Sequence, residues 1–80
     1  MNQETFDRAL PSFARRSPFR PYVIELVSGE RIVVRHPEAV AMHDEIAMFR
    51  NPRGEFHLFD CSCVCRLHDL ETFTEGEAAS

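Results

Sequence analysis

The sequence predicts a mostly β domain: one short N-terminal α-helix followed by five short antiparallel strands that close as a small barrel. Three observations lead there. Apolar residues first recur at helical spacing, with Phe6, Leu10 and Phe13 at i, i+4 and i+7. From Tyr22 onward they alternate in short runs separated by turn residues. The chain has 80 residues, enough for one domain, and closing its sheet removes the exposed strand edges that a short open sheet would carry.

Composition permits a real core. The chain is 44% hydrophobic, and its seven Phe bring large buried areas per residue. The net charge of −4 argues against a dedicated nucleic-acid binder, which needs a basic surface to displace counterions. Every one of the nine basic residues is Arg, so bidentate recognition of carboxylate or phosphate stays available. No apolar run approaches the ~20 residues of a membrane span. The opening "MNQETFDRAL" is polar and acidic, unlike a signal peptide. These features predict a cytoplasmic protein with reduced cysteines and no membrane partner.

Each element has its own signal. The helix is expected over residues 4–16, capped by Thr5 or Asn2, with a kink or restart at Pro11, and with Arg15 and Arg16 at its C-terminal dipole. "SPFRP" forces an extended passage. "YVIELV" sets Tyr22, Ile24 and Leu26 on one face and Val23, Glu25 and Val27 on the other. "SGE" is a turn, and "RIVVR" is the return strand with Ile32 and Val34 facing the core. His36, preceding Pro37, is extended. "EIAMF" is the third strand. "NPRG" fits a type I turn, with Pro52 at i+1 and Gly54 at i+3. "EFHLF" is the fourth strand, with Phe56 and Leu58 on one face. "DCS" makes a tight turn into the fifth strand, "CVCRL". The domain therefore spans residues 1–70, and residues 71–80 form a frayed acidic tail.

The stretch "PFRPYVIELVSGERIVVRHPE", Pro18 to Glu38, resembles a family of small bacterial proteins of unassigned function. Their pattern has a short helix, Pro-Phe-x-Pro-aromatic, a strand, a Gly turn, a strand and His-Pro-Glu. A hairpin follows, then an aspartate before a hydrophobic strand, matching Phe59-Asp60 and Val64–Leu67 here. The resemblance covers about residues 5–68. More distantly, the architecture is similar to Sm-like and SH3-like barrels. In the Sm class a helix precedes five bent strands, and the last two strands pair between subunits to make rings. The Arg-Gly pair typical of that class is absent, since Arg66 is followed by Leu67.

Four features carry candidate chemistry. Cys61, Cys63 and Cys65 alternate, so in a continuous strand they share one face and fill the core as small hydrophobes. A metal reading would need a fourth ligand, His57 or His68, without the usual C-x₂₋₄-C pair. "RHPE", Arg35–Glu38, places a His and a Glu two residues apart. No nucleophile accompanies them, so the expected role is to cap or orient the turn after the second strand. "ARRSPFR" sets Arg15, Arg16 and Arg20 around Phe19, the one basic-aromatic spot where single-stranded nucleic acid could stack and be neutralised. The helix stripe Phe6, Leu10 and Phe13 is expected to lid the barrel.

The leading functional expectation is a non-enzymatic binding or assembly module without cofactor, a homo-oligomer formed through barrel edge strands. Its interface would use Phe56, Leu58, Cys63, Cys65 and Leu67, because unpaired backbone groups on apolar edges invite another chain. Val23, Val27, Val33 and Phe49, on faces opposite the core, would add an apolar excess. The second reading is an Sm-like RNA-binding ring that uses Arg15, Arg16, Phe19 and Arg20, with RNA or another protein as partner. The third is a Cys/His metal-binding protein built on Cys61, Cys63, Cys65 and His57.

Overall fold

In the computed structural model, helix α1 runs Gln3–Ala14. Asn2 starts it: the Asn2 side-chain oxygen accepts the Thr5 N–H at 2.7 Å, satisfying one of the donors that a helix start leaves open. Pro11 lies inside α1, and one continuous helix spans it. The Ser12 hydroxyl donates to the Arg8 carbonyl at 2.8 Å in the adjacent turn. The structure describes residues 1–70, so the expected acidic tail, residues 71–80, lies outside the described residues.

Beyond a passage containing the cis Ser17–Pro18 bond, six strands follow. They are β1 Tyr22–Leu26, β2 Arg31–Val34, β3 Val40–His43, β4 Ile46–Arg50, β5 Phe56–Phe59 and β6 Val64–Asp69. All pairings are antiparallel, in two three-stranded sheets of order β2-β1-β6 and β3-β4-β5. This corrects the five-stranded barrel: among the described residues no ladder joins the two sheets into a closed one. The sixth strand is β3, hidden in a stretch that looked like a passage. Pro37 opens a one-turn 3₁₀ segment, Pro37–Ala39, closed by the Ala39 N–H on the His36 carbonyl at 3.1 Å. That turn redirects the chain, so β2 joins one sheet and β3 the other. Asp44 then adopts φ 56° in the two-residue link to β4, a conformation Asp tolerates better than most side chains.

The core lies between the two sheets and α1. Phe6, Leu10, Tyr22, Ile24, Val34 and Val64 are its most enclosed members. The helix stripe touches both sheets: the Phe6 ring meets Phe59 of the second sheet edge-on at 6.3 Å, and the Phe13 ring meets Tyr22 of the first at 5.3 Å. The expected apolar excess changes accordingly. Val23 and Phe49 are buried, Val33 is half-buried, and only Val27, in the β1–β2 turn, is exposed. Val23 sits on a central strand, between Val33 and His68, and its neighbours cover it. In β4 the alternation runs opposite to the expected sense, with Ala47 and Phe49 inside and Ile46 and Met48 outside.

The β4–β5 hairpin follows its sequence signal. Gly54 donates to the Asn51 carbonyl at 2.9 Å, and the Asn51 side-chain oxygen accepts the Arg53 and Glu55 N–H groups. Gly54 takes φ +86°, which the missing Cβ allows. Among the described residues no helix is long and apolar enough to cross a membrane.

Candidate functional site

The outward face of the second sheet is the most exposed apolar surface described. Along it Met48 pairs with Leu58, Arg50 with Phe56, Ala41 with Met48, and His43 with Ile46. Leu58 is 68% exposed and Phe56 59%, with Ile46 and Met48 less so. Cross-strand neighbours on one face lie about 5 Å apart, so these side chains form one continuous strip on the order of a few hundred Å². Strand β5 is also a sheet edge. Its outer N–H and C=O groups carry no strand partner among the described residues. Charges divide between the ends of the strip: Asp44 and Glu45 at one, Arg50 and Arg53 at the other, where Glu55 offsets part of the positive charge.

Of the five expected interface residues, the structure brings together only Phe56 and Leu58. Cys63 and Leu67 are half-buried and pack against the core. Cys65 is exposed on β6, in the other sheet. The three cysteines do not form a row on one strand, which corrects that expectation. Cys61–Cys63 is a 3₁₀ turn, initiated by Asp60. The Asp60 carboxylate accepts the Ser62 hydroxyl at 2.5 Å and the Ser62 N–H at 3.0 Å. The hydroxyl, helped by the backbone N–H and by Cys63, holds this carboxyl below its usual range, against a smaller opposing effect of burial.

In β6 the register with β1 shifts: Arg66 pairs with Glu25 while Val64 pairs with Leu26. Cys65 is the extra residue, a bulge that pushes its thiol outward. The bulge also lets Val64 and Leu67 both face inward, which strict alternation forbids. The weak metal candidates are dispersed. The His57 ring lies 6.1 Å from Phe49, and all three thiols are free. Among the described residues no three His, Cys, Asp or Glu are gathered where they could hold a metal ion.

The basic-aromatic spot divides. Arg16 pairs with Asp69, donates to the Arg20 carbonyl at 2.8 Å, and lies 4.8 Å over the Phe13 ring. Phe19 is half-buried against Tyr22, ring to ring at 6.2 Å. Arg15 and Arg20 alone remain exposed. Nearby, the Tyr22 hydroxyl is buried without a hydrogen-bond partner among the described residues. Burial pushes it up to about 12, and the Arg16 charge opposes this only in part.

On the outer face of the first sheet, Glu25 stands between Arg31 and Arg66. Arg66 Nε donates to it at 3.1 Å and His68 Nε2 lies 3.5 Å away. The Arg66 hydrogen bond holds the Glu25 carboxyl below its usual range, with Arg31 and His68 assisting and burial opposing.

Ile46 and Met48 are the strip residues that sequence reasoning missed. The alternating Ile-Ala-Met-Phe run offers two apolar faces, so no local signal chose between them. The "RHPE" side chains do not cap the turn that follows; His36 makes no side-chain cap bond. Compared with protein-family models, with curated proteins and with solved structures, the chain matches none.

Proposed function

We propose that this protein is a non-enzymatic, cytoplasmic assembly module that self-associates through the second sheet. The reading rests on one observation: Phe56 and Leu58 stand on the outer face of an edge strand, beside Met48 and Ile46. A contiguous apolar strip of this size often marks an interaction site. It is also short of the ~800 Å² per partner of a standard interface, so the open β5 edge has to contribute. A two-fold axis through the Met48–Leu58 pair sets the acidic end of one strip against the basic end of its copy, which makes the surface self-complementary.

The strand order supports a finer reading as an opened relative of the Sm-like and SH3-like architecture. An N-terminal helix precedes the strands, the last strand returns beside the first, and the middle three form a meander. The resemblance to the small bacterial family carrying Pro-Phe-x-Pro-aromatic and His-Pro-Glu belongs to the same proposal. Light scattering over a concentration series tests it. The expected masses are multiples of 9.2 kDa, and Leu58→Glu should return the chain to monomer without unfolding it. A wild-type chain that stays monomeric at every concentration would refute the proposal.

A further inference from the structure

A cavity of about 340 Å³ opens where the end of β2, the 3₁₀ turn after His36 and the β4–β5 hairpin meet. Two kinds of surface line it. Phe49 and Pro52 give an apolar wall, while Arg35, His36, Glu38 and Arg50 give a polar rim. Among the described residues none of these four side chains has a hydrogen bond or ion pair. Arg16 and Arg66 differ, because each is engaged by a carboxylate. Arg35 follows β2 and Arg50 ends β4, so residues 15 apart in sequence reach the cavity from different sheets. Two guanidinium groups facing one small space repel each other, and one carboxylate offsets only half of their charge. With His36 neutral, the rim keeps a net positive charge in a chain whose net charge is −4.

We propose that this cavity binds a small organic anion: a carboxylate or phosphate held by Arg35 and Arg50 and carried on an apolar ring that packs against Phe49 and Pro52. The chemistry fits the parts. Guanidinium groups match the paired oxygens of both anions, and the hydrogen bonds are charge-assisted. The volume lies at the lower end of small-molecule sites, which suits a single ring with one anionic group. Glu38 on the rim leaves a position for a donor on the ring. The site shares Arg50 with the outer face of the second sheet, whereas Arg35 lies off that face, so Arg35→Ala tests anion binding separately from self-association.

Phenyl phosphate, benzoate, benzyl alcohol and inorganic phosphate serve as probes, titrated into isotope-labelled protein and followed by backbone amide shifts. The expected result is saturable binding of phenyl phosphate or benzoate, with shifts centred on Arg35–Ala39 and Phe49–Gly54. Whichever binds tighter identifies the anion. Benzyl alcohol and inorganic phosphate should each bind about tenfold more weakly or worse, because each lacks one half of the recognition. Arg35→Ala and Arg50→Ala should each weaken binding about tenfold, and Arg35→Lys should restore part of it. Both arginine side chains are exposed and unbonded, so the variants should keep the native spectrum. The proposal is overturned if neither aromatic anion binds at millimolar concentration, if inorganic phosphate binds as tightly as phenyl phosphate, or if binding survives both alanine substitutions unchanged.

Discussion

Arg16 and Asp69, 53 residues apart, form an ion pair that fastens the segment after α1 to the end of β6. The same guanidinium caps the Arg20 carbonyl and covers the Phe13 ring, so one side chain joins the helix, the Pro-rich passage and the last strand. Both partners are largely shielded, at 18% and 27% exposure, where a charge-assisted bond counts for more than at an open surface. Arg16→Ala should cost about 1–3 kcal/mol of stability by urea denaturation, and Asp69→Asn somewhat less. In a double-mutant cycle the two losses should not add. An Arg16→Ala chain as stable as wild type would contradict the structural assignment and return this residue to the exposed basic spot.

Tyr22 is the one tyrosine, and the chain has no tryptophan, so its ionisation can be followed directly by ultraviolet absorbance. Its pKa is raised to about 12 in the fold. The unfolded phenol ionises near pH 10, so the folded state holds the proton more tightly between those values. Stability is therefore whole below about pH 10 and falls as pH climbs toward 12. Tyr22→Phe should remove that alkaline loss. At neutral pH it should leave stability unchanged or raise it by up to about 1 kcal/mol, because the buried hydroxyl has no partner to lose. Phenol absorbance titrating near pH 10 in the folded protein would refute this.

Glu25 and Asp60 give the acid limb. Both carboxyls titrate below their ordinary values, so their contribution is present above about pH 4 and is lost as pH falls through the lower folded values. Unfolding free energy measured from neutral pH down to about pH 3 should decline, and Glu25→Gln should flatten part of that decline. An unchanged slope in the variant would show that the Arg66 hydrogen bond does not act in solution.

The bulge at Cys65 predicts unequal thiols. In the native protein one cysteine should react quickly with a chromogenic disulfide reagent, and the other two about tenfold more slowly, since Cys61 and Cys63 are half-buried. Cys65→Ser should remove the fast phase alone. Three equal rates would mean that the 3₁₀ turn and the bulge are absent in solution.

Much of the fold was legible from residue order. The i, i+4, i+7 stripe, the helix cap narrowed to Thr5 or Asn2, the Gly turns and the alternation from Tyr22 are local signals, and local backbone and side-chain physics produces them. The hairpin at Asn51–Gly54 formed as its residues dictate. Other features depended on partners far along the chain. Val40–His43 became a strand because β4 pairs with it. The face of β4 was decided by which side met the helix and the first sheet, since an alternating Ile-Ala-Met-Phe run offers two apolar faces. Cys65 turned outward because a register shift against Glu25 and Leu26 inserted it. The sequence by itself determined the helix, the turns and the apolar content. Only the tertiary structure decided which apolar residues were buried, and so which strip remained exposed, because burial is a property of what packs opposite and not of the residue alone.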